Sequence, residues 1–444
     1  MAQYLRFVEM ADSPSSSDSS DPPQSEDAPR LPRPGSAPIR DRYDAIVVGL
    51  GVMGLATCRE LSRRGLRTLG LEQYDLHHDQ GCSHGSTRII RRAYSEHPSY
   101  VPLVERAFDL WRDTEEESGQ TLLNTCGMLT AGPAKGRIVP PVLATREKYP
   151  FDCELLTPGE VNERFPAIGF PLDKDLVAVH EPGGGYLYAD RALEAFASSA
   201  RANGATLLDC HHVRHWTEEP GRVLVESEEG TFEAPFLILT TGPWAKPLLS
   251  QFGIEVTLLR KLVFWYLAEN EQLIRAGTMP SFAIESPRGI YYGVPDNHDT
   301  PEEGLKIGRH DNTPELLEIA TLDSGEEMRV ERWIDDQEDL VRPMIEAFAR
   351  EYFAPGLLCG ESRELVPSDM AVRQYCLSPD GHFLIGHIPG SSRIAAATGF
   401  SGHGFKFAPV VAELLADMAE NKPPTPGADF LRLDRLAGSA RTGR

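Results

Sequence analysis

Five stretches of this chain carry side chains that could do chemistry. Arg88, Arg91 and Arg92, in the run S-T-R-I-I-R-R, set three guanidinium groups close together beside the histidine-containing loop Gly81–Thr87. In a chain of net charge −22, such a cluster can grip an anion, because a guanidinium offers a carboxylate two parallel hydrogen bonds. It can equally be a surface patch paired with acids. Lys306, in G-L-K-I-G-R-H, alternates with apolar neighbours, so on a strand it points away from them, either into solvent or into a cavity. Tyr291-Tyr292 puts one phenol on each face of its strand. Gly399-Phe-Ser-Gly402-His403-Gly404-Phe-Lys406 is a glycine-rich turn that permits close backbone approach. Its His403 and Lys406 can project from the turn or cap the helix that follows. Finally, Gly49, Gly51 and Gly54 form G-x-G-x-x-G.

The elements around that last motif decide what it is for. Ala45–Val48 is apolar and mostly β-branched, as a buried parallel strand requires. The pattern predicts a helix from about Met53 to Arg64, stopped by Gly65. A second strand follows at Thr68–Leu71 and ends on Glu72. In such a unit the first glycine makes the tight turn, the second admits a pyrophosphate and the third brings helix and strand together. The phosphates would rest on the helix N-terminus. Glu72 stands 21 positions after Gly51, where a carboxylate holds ribose hydroxyls. An acid there argues against a 2′-phosphate, so the expected cofactor is FAD or NAD.

Further along, a helix is expected over Val101–Glu117, short strands at Met128–Ala131 and Leu176–His180, and a helix start at Thr157-Pro-Gly-Glu160. A helix over Asp190–Asn203 precedes strands at Arg222–Glu226 and Phe236–Leu239. The turn Thr240-Thr241-Gly242 after that last strand is either a second contact with the dinucleotide or an ordinary strand end. Strands are expected at Lys261–Ala268, Gly289–Pro295, Leu305–Gly308 and Arg393–Thr398. Helices are expected at Pro314–Leu322, Gln337–Glu351 and Ala408–Glu420. Residues 1–41 are rich in Ser, Pro and Asp and read as a disordered tail, with Met1 or Met10 as its start. Residues 422–444 read as a second tail.

At 444 residues the chain can hold two or three domains. Its 41% hydrophobic and 25% charged residues are those of a soluble globular protein. The acidic balance disfavours nucleic acid and anionic membrane as partners. No apolar run reaches spanning length. The 7 cysteines include no C-x-x-C pair. That favours a reducing, cytoplasmic setting and shows no metal motif.

The segments VVGLGVMG, SHGSTRIIRRAY, GIYYGVP, GLKIGRH, SPDGHFLIG and ATGFSGHGFKF together resemble the sarcosine oxidase branch of the FAD-dependent amino-acid oxidase family, over roughly residues 43–420. GFSGHGFKF with STRIIR is far more specific than the glycine fingerprint. The resemblance implies FAD, cradled by Gly49, Gly51, Gly54, Glu72, Ser86, Thr87, Arg88, Gly242, Gly399, Gly402, His403 and Gly404. It implies that Arg91 and Lys406 hold a substrate carboxylate, that Lys306 lies near flavin N5 and activates oxygen, and that His310 and Tyr292 line the substrate pocket. Relatives attach FAD through a cysteine in a C-x-Y-x-x-x-P/L-D-x-H-F run. Here that position is Arg373, and Cys376 lies an odd number of residues away, on the opposite face of any strand. Non-covalent FAD follows, and an Arg373 that faces the ring would partly offset the lost thioether link through its charge.

The resulting expectation is an α/β protein. A Rossmann-like FAD domain is assembled from residues 42–125, 183–245 and 366–421. A mixed-sheet α+β substrate domain is assembled from 126–182 and 246–365. By resemblance, the chain is a monomer that oxidises a secondary amino acid to an imine and reduces O2 to H2O2. The alternatives are a dehydrogenase of the same fold that uses another acceptor, an NAD enzyme, or a flavin-binding protein without turnover.

Overall fold

The computed structural model describes residues 5–6, 39–311, 334–358 and 365–436. The helix expected at 314–322 lies outside them.

Two sheets organise the chain. The first has six strands in the order Thr206–Leu208, Thr68–Leu71, Ala45–Val48, Phe236–Leu239, Ile394–Thr398, Leu384–His387. All neighbours are parallel except the last pair. Strand alternation explains its two cores. Ala45, Val47, Phe236, Ile238, Ala395 and Ala397 face the helices Val52–Arg63, Tyr100–Ser118, Ala189–Ala202 and Ala408–Ala419. Ile46, Val48, Leu237, Leu239 and Ala396 face the antiparallel strands Val213–Glu219, Arg222–Ser227 and Gly230–Ala234. Burial on both faces is why Ala45–Val48 reads as an unbroken apolar run.

The second sheet has eight strands, ordered Asp369–Leu377, Thr257–Tyr266, Leu305–Arg309, Gly289–Val294, Ser281–Ser286, Met128–Pro133, Leu176–Glu181, Glu154–Leu156. Its back face, with Phe264, Ile307, Tyr291, Phe282 and Leu129, packs on Ile345, Phe348 and Tyr352 of the helix Ile334–Tyr352. Tyr291 stacks on Phe348 at 4.2 Å between ring centroids. The register puts a different set on the front face. Lys261 lies opposite Arg373, Trp265 opposite Lys306, and Tyr292 opposite Gly308 and Ala283. A small sheet of Thr87–Ile90, Gly185–Tyr188 and Leu123–Asn124 closes the space between the two large ones.

The fold corrects four expectations. Asp369–Leu377 pairs along its whole length with Thr257–Tyr266, so it belongs to the eight-stranded sheet, and a boundary at 366 would cut it from its partner. Thr257–Tyr266 itself begins four residues before the expected Lys261. Ile39–Arg42 is a strand parallel to Gly230–Ala234, and Leu5–Arg6 pairs with His215 and Trp216, so residues 1–41 are not wholly without structure. The C-terminal segment is no free tail up to residue 436. Leu431 and Leu433 are buried in the cores on the two faces of the six-stranded sheet. Arg435 bonds Asp380 and the carbonyls of His382 and Phe383.

Candidate active site

One cavity of about 470 Å³ runs between the two sheets. Gly49, Gly51 and Glu72 line one end, Thr240, Gly242 and Gly399 its middle, and Lys306, Arg91, His310 and Lys406 the other end. Its first end is built by close packing. A Cβ on Gly54 would lie 1.9 Å from the Gly49 carbonyl oxygen, and one on Gly49 would lie 2.7 Å from that of Thr240. Gly54 itself is buried under the turn and does not line the cavity. Thr240 donates its hydroxyl to the Gly49 carbonyl at 2.7 Å, so the strand end at 240–242 is part of the cofactor turn. The helix beginning at Val52 has no acidic side chain in its first turn, which leaves its positive end to an incoming phosphate. Glu72 is buried. It accepts Leu50 N–H at 2.7 Å and Tyr74 N–H at 3.2 Å while still bordering the cavity. These residues fit the adenosine and pyrophosphate of FAD.

At the middle and far end, cations converge. Arg88 donates to the carbonyls of Thr87 (2.9 Å), Cys82 (3.2 Å) and His84 (2.5 Å). Lys306 is buried, not exposed. Its Nζ donates to the Thr87 carbonyl and hydroxyl, both at 3.2 Å, and lies 5.3 Å from the Trp265 ring centroid. Burial, reinforced by Arg88 and Arg373, pushes its pKa far below that of a free lysine. Arg373 does face the cavity. Its Nη1 donates to the Val372 carbonyl, and its buried Nε has no partner. A Cβ on Gly85 would come within 2.2 Å of its Nη2, so only glycine lets that guanidinium lie there. Burial and Arg88 lower Arg373 to about 10. Cys376 also borders the cavity, and its sulfur lies 3.9 Å from the Thr398 hydroxyl.

Ser86 departs from expectation. It is absent from the cavity lining, and its hydroxyl donates to Glu302. The strand Thr87–Ile90 turns Thr87 toward Lys306 instead.

Arg91 and Lys406 both lie by the Tyr94 ring, 4.7 and 5.6 Å from its centroid. The carboxylate beside them is the protein's own. Arg91 Nη2 donates to both oxygens of Glu96, at 2.8 and 3.0 Å. Burial alone would raise Glu96, but Arg91, His403, Lys406 and His310 outweigh it and hold the acid well below the usual carboxylate range. Lys406 donates to the His403 carbonyl at 2.8 Å, and burial with Arg91 lowers it to about 7. Burial pushes His403 down to about 3 and His310 to about 4, despite Glu96. Both imidazoles are therefore neutral near pH 7. His403 pairs with the Tyr94 hydroxyl at 2.8 Å, and His310 with the Tyr375 hydroxyl at 3.3 Å.

Tyr292 reaches across its neighbour strand. A Cβ on Gly308 would meet its ring and hydroxyl at 2.7–2.8 Å. Tyr292 is hydrogen-bonded to Tyr375, and burial raises both phenols. The structure thus brings Lys306, Arg91, Lys406, His310, Tyr292, Arg88 and Arg373 into one cavity. The sequence reading missed Tyr375, Glu96 and Glu302. Tyr375 was findable, since it stands two residues after Arg373 and shares its face.

The chain is 33% identical over 384 residues to a monomeric sarcosine oxidase of Arthrobacter sp. (strain TE1826), covering 86% of this chain and 93% of that protein. It is 32% identical over 385 residues to N-methyl-L-tryptophan oxidase of Yersinia pestis (strain Pestoides F), covering 86% and 96%. Among solved structures, the fold is shared with NikD, described as an unusual amino acid oxidase essential for nikkomycin biosynthesis (TM-score 0.70, 22% identity, 88% of this chain and 97% of that one). It is shared also with glycine oxidase from Geobacillus kaustophilus (TM-score 0.69, 20% identity, 89% and 99%). No described helix is long and apolar enough to cross a membrane. Residues 44–418 match the family of FAD dependent oxidoreductases called DAO, and the chain belongs to that family.

Proposed function

We propose that the protein oxidises a secondary amino acid, N-methylated or cyclic, at the carbon next to nitrogen, with O2 as the electron acceptor and an imine and H2O2 as products. The observation that carries this reading is a pair of cations, Arg91 and Lys406, at one end of a cavity whose other end is a dinucleotide turn, with Lys306 lining the same end as the pair. A substrate carboxylate takes the Arg91 fork from Glu96 and gains Lys406 as a second partner. That grip fixes the nitrogen and its adjacent carbon near the front face of the eight-stranded sheet, against Tyr292, Tyr375 and His310. The neutral imidazoles and protonated phenols there leave a deprotonated amine uncharged and do not compete for the carboxylate. Bound FAD supplies the two-electron acceptor and its reoxidation by oxygen. Lys306, held by Thr87, is the amine next to the site of oxygen reduction, where negative charge on reduced flavin would favour its protonated form.

FAD is held non-covalently in this reading, because Arg373 stands on the cavity face where relatives carry the linking cysteine and Cys376 is turned toward Thr398. Flavin that stays in the acid supernatant after precipitation is the expected result. Yellow protein in the pellet would refute it.

The direct test is anaerobic bleaching of the flavin on adding sarcosine, proline, pipecolate or N-methyl aromatic amino acids, followed by a peroxide assay in air. Bleaching by none of them sinks the substrate reading. Bleaching with dye reduction but no peroxide means a dehydrogenase.

A further inference from the structure

Glu302 has no part in the reading above, yet it is the carboxylate that enters the cationic cluster. Arg88 and Lys306 give their hydrogen bonds to backbone carbonyls and to Thr87, not to acids. Arg373 has one carboxylate in reach, Glu302 Oε1 at 4.0 Å from Nη2. The other oxygen of Glu302 accepts the Ser86 hydroxyl, next in sequence to Thr87, which holds Lys306. Asp190, exposed in the first turn of the helix Ala189–Ala202, adds only a screened field to the same three cations.

The loop that brings Glu302 in, between Val294 and Leu305, is tied down on several sides. Gly304 N–H donates to Asp296 at 3.2 Å, and Tyr188 donates its hydroxyl to Asp299 at 3.2 Å. Arg191 donates to the Asp299 carbonyl at 3.1 Å, and Ser368 to that of Glu303 at 2.9 Å. A carboxylate on a fixed loop, 4.0 Å from the buried Arg373 and acting on the buried Lys306, sets the charge of its surroundings.

We propose that Glu302 is a positioning residue for the flavin end of the cavity: it aims Arg373 and Ser86, and its negative charge offsets that of Arg373 within the group Arg88, Lys306 and Arg373. Two-electron reduction leaves negative charge on a flavin, and each uncompensated cation beside it favours the reduced form. Glu302 therefore holds the potential of bound FAD lower than the three cations alone would set it.

The inference rests on the reading that the flavin ring lies beside Lys306. The experiment measures the midpoint potential of the FAD-loaded protein by dye equilibration, with melting temperature as the folding control. Glu302→Gln keeps an acceptor for Ser86 but removes the charge, and is expected to raise the potential. Arg373→Met is expected to lower it. The double variant returns close to the unaltered protein, and Glu302→Asp stays close to it. Equal potentials for Glu302→Gln and the unaltered protein overturn the proposal, as does a shift of both single variants in one direction, which is the mark of general damage. If Lys306→Met also leaves flavin reoxidation unchanged, the placement of the ring fails. If Lys306→Met is impaired and Glu302→Gln is not shifted, only the role of Glu302 fails.

Discussion

Replacing Glu96 by Gln should make the protein bind carboxylates more tightly. Glu96 occupies Arg91 with two charge-assisted contacts, at 2.8 and 3.0 Å. Any ligand carboxylate that uses Arg91 must first displace it, so the apparent affinity is the intrinsic one reduced by the fraction of protein in which Glu96 has let go. Hydrogen bonds to charged groups are worth about 1.5–3 kcal/mol and neutral ones about 0.5–1.5 kcal/mol. Exchanging the acid for an amide should thus weaken the internal competitor by about 1–1.5 kcal/mol, or roughly tenfold in dissociation constant. Gln is isosteric and still accepts from Ser95, whose N–H and hydroxyl both lie 3.1 Å from Glu96 Oε2.

The same exchange leaves Arg91 and Lys406 without their anion. Removing one partner of a buried pair costs about 3–5 kcal/mol. Glu96 keeps a fifth of its side chain exposed, so the loss should fall below that range. The variant should melt at a lower temperature and regain more stability from ligand than the unaltered protein. Acetate titrated against the flavin absorbance, without turnover, measures the affinity. An unchanged or weaker acetate affinity in Glu96→Gln would refute the argument, because it would mean that Glu96 helps to build the carboxylate site and does not compete for it.

Other consequences can be checked separately. Lys306→Met should keep anaerobic flavin reduction and slow reoxidation by oxygen by an order of magnitude or more, about the worth of one placed cation, as read by stopped flow. Lys406, lowered to about 7, is charged below that pH and neutral above it. Acetate affinity should therefore fall as pH rises past 7, with the fall displaced upward because a bound anion favours the charged form. Lys406→Met should flatten that profile, since Glu96 stays ionised and His403 and His310 stay neutral across the window. Gly54→Ala would force the helix off its strand, given 1.9 Å to the Gly49 carbonyl. It should abolish FAD retention on gel filtration and cost at least about 1–3 kcal/mol in denaturant unfolding.

What could be read in advance followed from period. The unit Ala45–Glu72 appears as expected because each local signal, apolar run, glycine turn and helix stop, agrees with its place in a doubly covered sheet. Lys306, Tyr292 and Arg373 land on one face because strands alternate, and the register puts that face over the cavity. The extent of Asp369–Leu377 was not legible. Its partner is more than a hundred residues away, and no local pattern tells which sheet a strand joins. The docking of 422–436 escaped for a related reason: Phe430, Leu431, Leu433 and Leu436 form a short apolar run in an otherwise polar segment, and only the surface they meet makes Leu431 and Leu433 core.

Period cannot find counter-ions, and here the counter-ions carry the finer control. Arg91 and Lys306 sit on or beside strands, where the fold fixes them. Glu96 and Glu302 come from connections, five residues after one cation and four before the other, at spacings that mean nothing until the chain is folded. Cations alone would give this acidic protein a site that attracts carboxylates and favours reduced flavin without limit. Each loop acid restrains one of those effects. Because loops tolerate change better than paired strands, affinity for the substrate carboxylate and the flavin potential can be altered independently, by exchanging Glu96 or Glu302, while the Arg91, Lys406 and Lys306 framework stays intact. A Glu96→Gln, Glu302→Gln double variant should accordingly show the acetate affinity of the first and the flavin potential of the second. A double variant that departs from both would mean that the two acids act on one shared electrostatic site.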